Sequence, residues 1–300
     1  MRLAYDAAAP GAALGGDGLY ASCVAGAWLE HLAEEVVAGR YRPAPLRRLT
    51  VTRKGRPREV GVPTTADQVL VAAWKLWGEP RLDPQLAGHV WGFRPGRDRF
   101  GAVRSLRRAV LPTGGRLIRC DIRKMFESLD HTTLAEAAAR TWGWTYTRPS
   151  WWHRFTPPWR RPSEAGGLAR RLMACWLNAW SPGVGVPTGV AVSPAWSNAY
   201  LSGAVDGCLS RLMAEGRVTV AMRYADDFAL VAPDETPLRD LEQAVRACGL
   251  RLHPDKTEVH RVGVEADWPA RVLGVDLAPG LVDGALRLVL VDPAGAPQGR

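Results

Sequence analysis

The sequence predicts an α+β fold, and three observations carry that reading. Thr219 to Tyr224 and Phe228 to Ala232 are short alternating apolar runs that flank the acidic pair Asp226-Asp227, the pattern of a hairpin with carboxylates at its tight connection. Leu117 to Cys120 is a third strand-like run that ends in Asp121, and Thr133-Leu134-Ala135-Glu136 after it has the form of a capping-box helix start. Val24 to Ala38 carries apolar positions at helical spacing and is closed by Gly39. With 300 residues and 47% hydrophobic content, the chain is long enough for one large domain or two coupled subdomains.

The elements follow in order. Residues 1–20 are Ala/Gly-rich, interrupted by Asp6, Pro10 and Asp17, and read as a loose extension that makes a poor signal peptide. Within residues 21–110, Leu49 to Thr52 and Val60 to Val62 flank the basic stretch Arg53-Lys54-Gly55-Arg56-Pro57-Arg58, a hairpin with a cationic tip that either handles phosphates or is a solvated basic turn. A helix-like run over residues 66–77 precedes the block Gly92-Phe93-Arg94-Pro95-Gly96-Arg97. Arg104, Arg107 and Arg108 continue a basic face along a further helix, a pattern that equally suits a solvated face.

Residues 111–275 form a second block. Its segment 141–171 interleaves Trp142, Trp144, Trp151, Trp152 and Trp159 with arginines and prolines, which suits base stacking, an irregular packed insertion or a surface for a protein partner. The loop Gly185 to Gly189 uses glycines where the backbone needs close approach. Ser193 reads as a helix N-cap with Pro194 in the first turn, and the helix runs to about Glu215 before Gly216. Leu238 to Cys248 is amphipathic and closed by Gly249, and residues 276–300 are a short C-terminal segment, strand-like over Gly284 to Val291, that ends in a Pro/Gly-rich tail.

Composition narrows the function classes. The formal charge of +9 makes a polyanionic partner plausible through phosphate contacts. Of 39 basic residues only Lys54, Lys75, Lys124 and Lys256 are lysines. The five cysteines are scattered, odd in number and without CxxC spacing, which disfavours a zinc site or a disulfide framework and points to a reducing, cytoplasmic setting. No apolar run approaches the roughly 18 residues of a membrane span.

The chemistry rests on the three aspartates. Two adjacent carboxylates on a rigid turn repel unless a cation, a basic group or water screens them, although aspartate is also a favoured turn residue. Asp121 alone reads equally as a strand-end loop residue. Brought into one sheet, Asp121, Asp226 and Asp227 would supply the hard oxygen ligands that two Mg2+ ions need for in-line phosphoryl transfer.

An ordered series of motifs between about residue 40 and about residue 275 then resembles reverse transcriptases of the bacterial group II intron-like branch. Asp121-Ile122-Arg123-Lys124-Met125-Phe126 is similar to the first palm motif, Gly185-Val186-Pro187-Thr188-Gly189 to the template-and-nucleotide loop, and Tyr224-Ala225-Asp226-Asp227 to the catalytic box. Pro254-Asp255-Lys256-Thr257 matches the next motif, Leu273-Gly274 the primer-grip turn, and Gly92 to Arg97 a block of the group II-like branch. The resemblance implies a right-hand polymerase of fingers (21–110) and antiparallel-sheet palm (111–275), with the thumb reduced or absent.

It implies roles as well. Asp121 and Asp226 would be the principal ligands of two Mg2+ ions, replaceable by Mn2+, with Asp227 and the Ile122 carbonyl completing the set. Lys54 and Arg58 would neutralise the triphosphate, with Arg53 as an alternative to Lys54 in a short loop. Phe126 lies where the family packs a ring beneath the sugar, or is ordinary core. Thr188 stands where the family usually has glutamine; Gly189 and Asn198 would lie near template or nucleotide, or Asn198 is an ordinary exposed helix residue. Arg94 and Arg97 would meet the template backbone. Lys256 is a general acid for departing pyrophosphate or a surface lysine. Expected partners are an RNA template, a DNA or RNA primer, deoxynucleotides, and a structured RNA or protein that supplies the missing thumb, with no membrane. The expected function is RNA-directed DNA synthesis, in phage defence or a group II-like element; the alternatives are a non-catalytic maturase-like RNA scaffold and a template-independent or RNA-synthesising nucleotidyltransferase.

Overall fold

The computed structural model describes residues 25–53, 55–143, 164–291 and 297–298. Helix α1 (Ala25–Val37) stops where Gly39 takes φ of +71°. Strands β1 (Arg47–Arg53) and β2 (Arg56–Val62) pair antiparallel from Arg47↔Val62 to Arg53↔Arg56, so the hairpin is longer on both sides than its apolar residues suggest. Helix α2 (Thr65–Leu82) is capped by Thr64, and α3 (Arg99–Arg108) by Asp98, which accepts from the Gly101 N–H at 2.6 Å. Strand β3 (Arg116–Asp121) and the short helix α4 (Met125–Ser128) follow.

Helix α5 (His131–Trp142) starts two residues before the expected capping box. Its cap is Asp130, whose carboxylate accepts from the Thr133 N–H at 2.8 Å and the Thr133 hydroxyl at 3.0 Å. After α6 (Glu164–Trp180), the single helix expected from Ser193 to about Glu215 is two, α7 (Ser193–Ser202) and α8 (Ala204–Ala214), with the break at Gly203, the residue type least held in a helix besides proline. The Ser193 hydroxyl does not cap; it donates to the Pro187 carbonyl at 2.7 Å and ties the preceding loop down. Strands β4 (Val220–Tyr224) and β5 (Asp227–Ala232), helix α9 (Thr236–Ala247) and strands β6 (Glu258–Arg261), β7 (Ala270–Val272), β8 (Val275–Val282), β9 (Ala285–Val291) and β10 (Pro297–Gln298) complete the order.

These elements pack as two compact units, each made of two separated stretches. The first joins the chain up to Gln85 with residues 126–200. Its core is aromatic: Trp74 meets Trp142 and Trp196 edge-on at centroid distances of 5.0 and 5.7 Å. Trp142 is therefore core, its indole N–H bonded to the Gly78 carbonyl at 2.9 Å, and not part of a stacking surface. Trp144, Trp151, Trp152 and Trp159, like Lys54 and the extension 1–20, lie outside the described residues. Asp67 is fully buried with no cation partner among the described residues and instead accepts from Tyr41, Thr64, Trp176 and the Ala44 N–H at 2.9–3.2 Å.

The second unit joins residues 86–125 with 201–300. Its main sheet is antiparallel in the order β4-β5-β3-β6, and a second sheet runs β10-β9-β8-β7. Ala102, Val103 and Leu106 of α3 pack with Leu117, Met222, Ala229 and Val231 of the main sheet and Val272, Leu277 and Leu288 of the second. Leu273 and Gly274 both take positive φ, 50° and 81°, as a two-residue β7–β8 hairpin turn requires. No helix among the described residues is long and apolar enough to cross a membrane.

Candidate metal centre

Strand pairing assembles the acidic trio. The β4–β5 connection is the two-residue turn Ala225-Asp226, with Tyr224 opposite Asp227. Ala225 takes φ of +59°, a conformation that side-chain-bearing residues rarely adopt and that recurs at functional turns. Asp227 opens β5 and stands in register with Asp121, the last residue of β3. The Ile122 N–H donates to the Asp226 carbonyl at 3.0 Å, which locks the turn to the strand beside it. As a result, carboxylate oxygens of Asp121, Asp226 and Asp227 all lie within 4.8 Å of one another.

The electrostatics of this cluster are those of groups that a cation would stabilise. Burial, with the charges of Asp121 and Asp227 close by, pushes the Asp226 carboxyl up to about 6. Burial and Asp121 raise Asp227 as well, against a pull from Arg119 and Lys256. Among the described residues Lys256 supplies the ammonium in contact, its Nζ 2.8 Å from Asp121 Oδ2, and its side chain is about half exposed. It is thus held to the trio and is not a loose surface lysine. Three hard carboxylates facing one lysine fit a divalent cation of the Mg2+ class, whose preferred ligands are oxygens.

A second, compensated charge site supports the turn. Arg223, on β4 and fully buried, makes a bidentate pair with Asp206 of α8, both N···O distances 2.7 Å, and its Nη1 donates to the Ala225 carbonyl at 3.2 Å. Burial pushes Asp206 up, but Arg223 and the neighbouring His89 more than reverse this and hold its carboxyl below the ordinary range. His89 Nε2 stands 3.7 Å from Asp206 Oδ1, too far for a hydrogen bond. Sequence reasoning missed this network; its one visible signal was an arginine inside the apolar run Thr219 to Tyr224.

The Gly92 block braces the same turn. The Trp91 N–H donates to the Arg223 carbonyl at 2.8 Å and the Arg223 N–H to the His89 carbonyl at 2.9 Å. A Cβ on Gly92 would collide with the Ala225 backbone nitrogen, so only glycine allows this approach. Arg94 donates to the Ala87 carbonyl at 2.9 Å and Arg97 to the Val90 carbonyl at 2.8 Å, so both expected template-binding arginines also staple their own loop.

In the other unit the structure gathers a separate set of the expected residues. The Val186 N–H donates to the Phe126 carbonyl at 2.7 Å, and the Gly61 N–H donates to the Thr188 carbonyl at 2.8 Å. A Cβ at Gly189, which has φ of +92°, would press on Val60 at 3.2 Å. Backbone contacts therefore connect the β1–β2 hairpin, the Gly185–Gly189 loop and the short helix carrying Phe126. Phe126 is half-buried, Arg58 is exposed, and Asn198 is wholly buried instead of exposed on its helix.

Comparison with known proteins agrees with this geometry. The family model of reverse transcriptases (RNA-dependent DNA polymerases) matches residues 52–277. Protein YkfC of Escherichia coli (strain K12) is 26% identical over 272 residues, covering 78% of this chain and 68% of that protein. Group II intron-encoded protein LtrA of Lactococcus lactis subsp. cremoris is 28% identical over 109 residues, 35% of this chain and 18% of LtrA, in keeping with the group II-like branch. Apo telomerase from Candida tropicalis, truncated from its C-terminal domain, superposes with a TM-score of 0.57 at 11% identity, covering 84% of this chain and 58% of that one. Telomerase from Candida albicans in complex with a fragment of telomeric RNA gives 0.54 at 12% identity over 91% of this chain and 51% of that one. The chain spans little more than half the length of these telomerases, and the likeness establishes a shared α+β polymerase fold. With the family model matched across most of its length, the chain belongs to the reverse transcriptase family.

Proposed function

We propose that this protein extends a DNA or RNA primer with deoxynucleotides on an RNA template. The observation that carries the reading is the convergence of Asp121, Asp226 and Asp227 at a strand end and a strained turn, within a chain that matches the family. Asp121, Asp226 and Asp227, with the Ile122 carbonyl, would hold two Mg2+ ions, or Mn2+ in their place. Bound there, the ions would supply Lewis-acid stabilisation for an in-line phosphoryl displacement.

The chain's own residues do the rest. Lys256 carries a proton at Nζ beside Asp121, and in this reading delivers it to the departing pyrophosphate. Arg58, with Lys54 or Arg53, neutralises the triphosphate. The Phe126 ring excludes a ribose 2'-hydroxyl, while Thr188, Gly189 and Asn198 shape the template and nucleotide pocket. Arg94 and Arg97 order the loop under the acidic turn and present charge to the template backbone. Fingers over residues 21–110 and a palm over 111–275 are the functional division we propose. Likeness to LtrA supports a group II-like origin; service in phage defence is a further expectation of the same reading.

Primer extension on an RNA template with deoxynucleotides and Mg2+ tests the proposal. Wild type extends, Asp121→Asn does not, and Phe126→Ala gains ribonucleotide incorporation. Extension without template, or with ribonucleotides alone, would replace it by a different nucleotidyltransferase. Folded, RNA-binding protein that extends nothing, even with candidate structured RNA or protein partners added, would favour a maturase-like scaffold.

A further inference from the structure

Four arginines with no carboxylate partner among the described residues line an open cavity of about 420 Å3 in the unit that carries the acidic trio, and none of them belongs to the trio's machinery. Arg104, Arg107 and Arg108 come from α3, and Arg287 comes from β9, with Val282 and Leu288 as the apolar floor. The apolar positions Ala102, Val103 and Leu106 turn the opposite side of α3 into the core, which leaves the arginines on one outward face. An antiparallel bridge between Val110 and Arg287, the Leu111 N–H donated to the Leu286 carbonyl at 2.7 Å, and an Arg287 guanidinium bond to the Arg108 carbonyl fasten β9 beside the helix end. The cavity walls are therefore held by backbone pairing together with the Arg287 bond, and the side chains of Arg104 and Arg108 take no part in it.

Helix physics alone does not explain the cluster. Arg107 and Arg108 lie in the last turn, where cations suit the helix dipole. Arg104 lies a turn earlier, three and four residues from them, a spacing at which like charges repel, and Arg287 adds a fourth charge from another element. None of the four forms an ion pair with a described residue, although ion pairs occupy many other arginines of the chain. Arg107 Nε is buried with no acceptor. Such an arrangement is relieved by an anion, and guanidinium groups match phosphate geometry.

We infer that this cavity is a second nucleic-acid site, which takes the phosphodiester backbone of a strand through Arg104, Arg107, Arg108 and Arg287. The choice of nucleic acid over a free phosphate compound rests on the proposed function; the anion site itself rests on geometry alone. A volume of about 420 Å3 is more than one small ion fills, and the apolar floor of Val282 and Leu288 suits a sugar beside the phosphates.

The test is the salt dependence of RNA binding, read by fluorescence anisotropy on the full chain. Arg104→Gln/Arg108→Gln removes two exposed guanidinia that make no side-chain bonds, so the fold and melting temperature are expected to stay as in wild type. RNA affinity is expected to fall roughly tenfold, with the log–log salt slope reduced by about 1.4–1.8 for two lost phosphate contacts. Arg287→Gln is expected to act in the same direction and Arg287→Lys to retain most of the binding. Arg239→Gln/Arg246→Gln, an exposed pair elsewhere, is the matched control and leaves the slope at its wild-type value. Equal losses in control and test variants, or an unchanged slope in the test variant, would overturn the inference. A variant that loses inorganic tripolyphosphate but keeps RNA would show a small-phosphate site and overturn the nucleic-acid assignment. Wild type that fails to extend primers while the slope change appears would sink the proposed activity and leave this site standing.

Discussion

Asp206 and Asp226 belong to the same unit, both are largely withdrawn from water, and their environments drive them in opposite directions. Asp206 meets Arg223 in a bidentate pair and is held ionised below the ordinary carboxylate range. Asp226, in the turn that follows the strand Arg223 sits on, meets Asp121 and Asp227 and is pushed up to about 6. One site has its charge complement built in, and the other sets Lys256, with a weaker pull from Arg119, against three acids. The pair that is complete positions the turn through the Ala225 carbonyl; the cluster that is incomplete is what the turn presents. Local instability at the tip is tolerated because the hairpin beneath it is fully paired.

The contrast breaks most visibly at Asp226. Asp226→Asn should lower primer extension by about 10^3-fold or more, since metal-borne charge stabilisation is worth several kcal/mol in the transition state. The same change should stabilise the metal-free protein at neutral pH. The folded-state value near 6 lies above the unfolded value of about 3.9, so the folded form holds the extra proton between them and wild-type stability declines as pH rises through that window. Asparagine removes that decline, a gain on the order of 1–2 kcal/mol in urea melts in chelator at pH 7.5.

Arg223→Met should do the reverse, destabilising the fold by about 3–5 kcal/mol because Asp206 is left buried and unpaired. Asp206→Asn/Arg223→Met should recover part of that loss, which urea melts of the three proteins would read. The sign of the pH dependence is also opposite to that of Asp226: the depressed Asp206 contributes stability above its unfolded value of about 3.9 that is lost as pH falls below it. Gly92→Ala should cost about 1–3 kcal/mol, since a Cβ meets backbone that cannot rotate away, and should slow extension by shifting the turn. Arg246→Gln breaks only an exposed i,i+4 pair with Glu242 and should change stability by about 0.3 kcal/mol.

What the sequence made legible follows the same division between local and distant causes. Alternating apolar residues on both sides of Asp226-Asp227 announced the hairpin, and the apolar run before Asp121 announced the strand that completes the trio. Patterns of that kind are read within a window of a few residues. Asp206 and Arg223 stand 17 residues apart on a helix and a strand, and His89 arrives from another stretch altogether, so no window contains their network. Strand β8 escaped because Pro279-Gly280 lies inside it, against local propensity, and its pairing with β9 overrides that. Trp142 looked like part of an aromatic surface because its burial against Trp74 depends on a helix about 70 residues upstream in sequence.

The central claim is that Asp121, Asp226 and Asp227 form a cation site whose repulsion the fold tolerates for the sake of binding. Thermal melts of wild type and Asp226→Asn, in chelator and then in millimolar Mg2+ or Mn2+, test it most directly. The account predicts that the variant melts higher than wild type in chelator, that metal raises the wild-type melting temperature, and that the variant responds little. A wild type indifferent to both metals, together with a variant that melts lower in chelator, would contradict it.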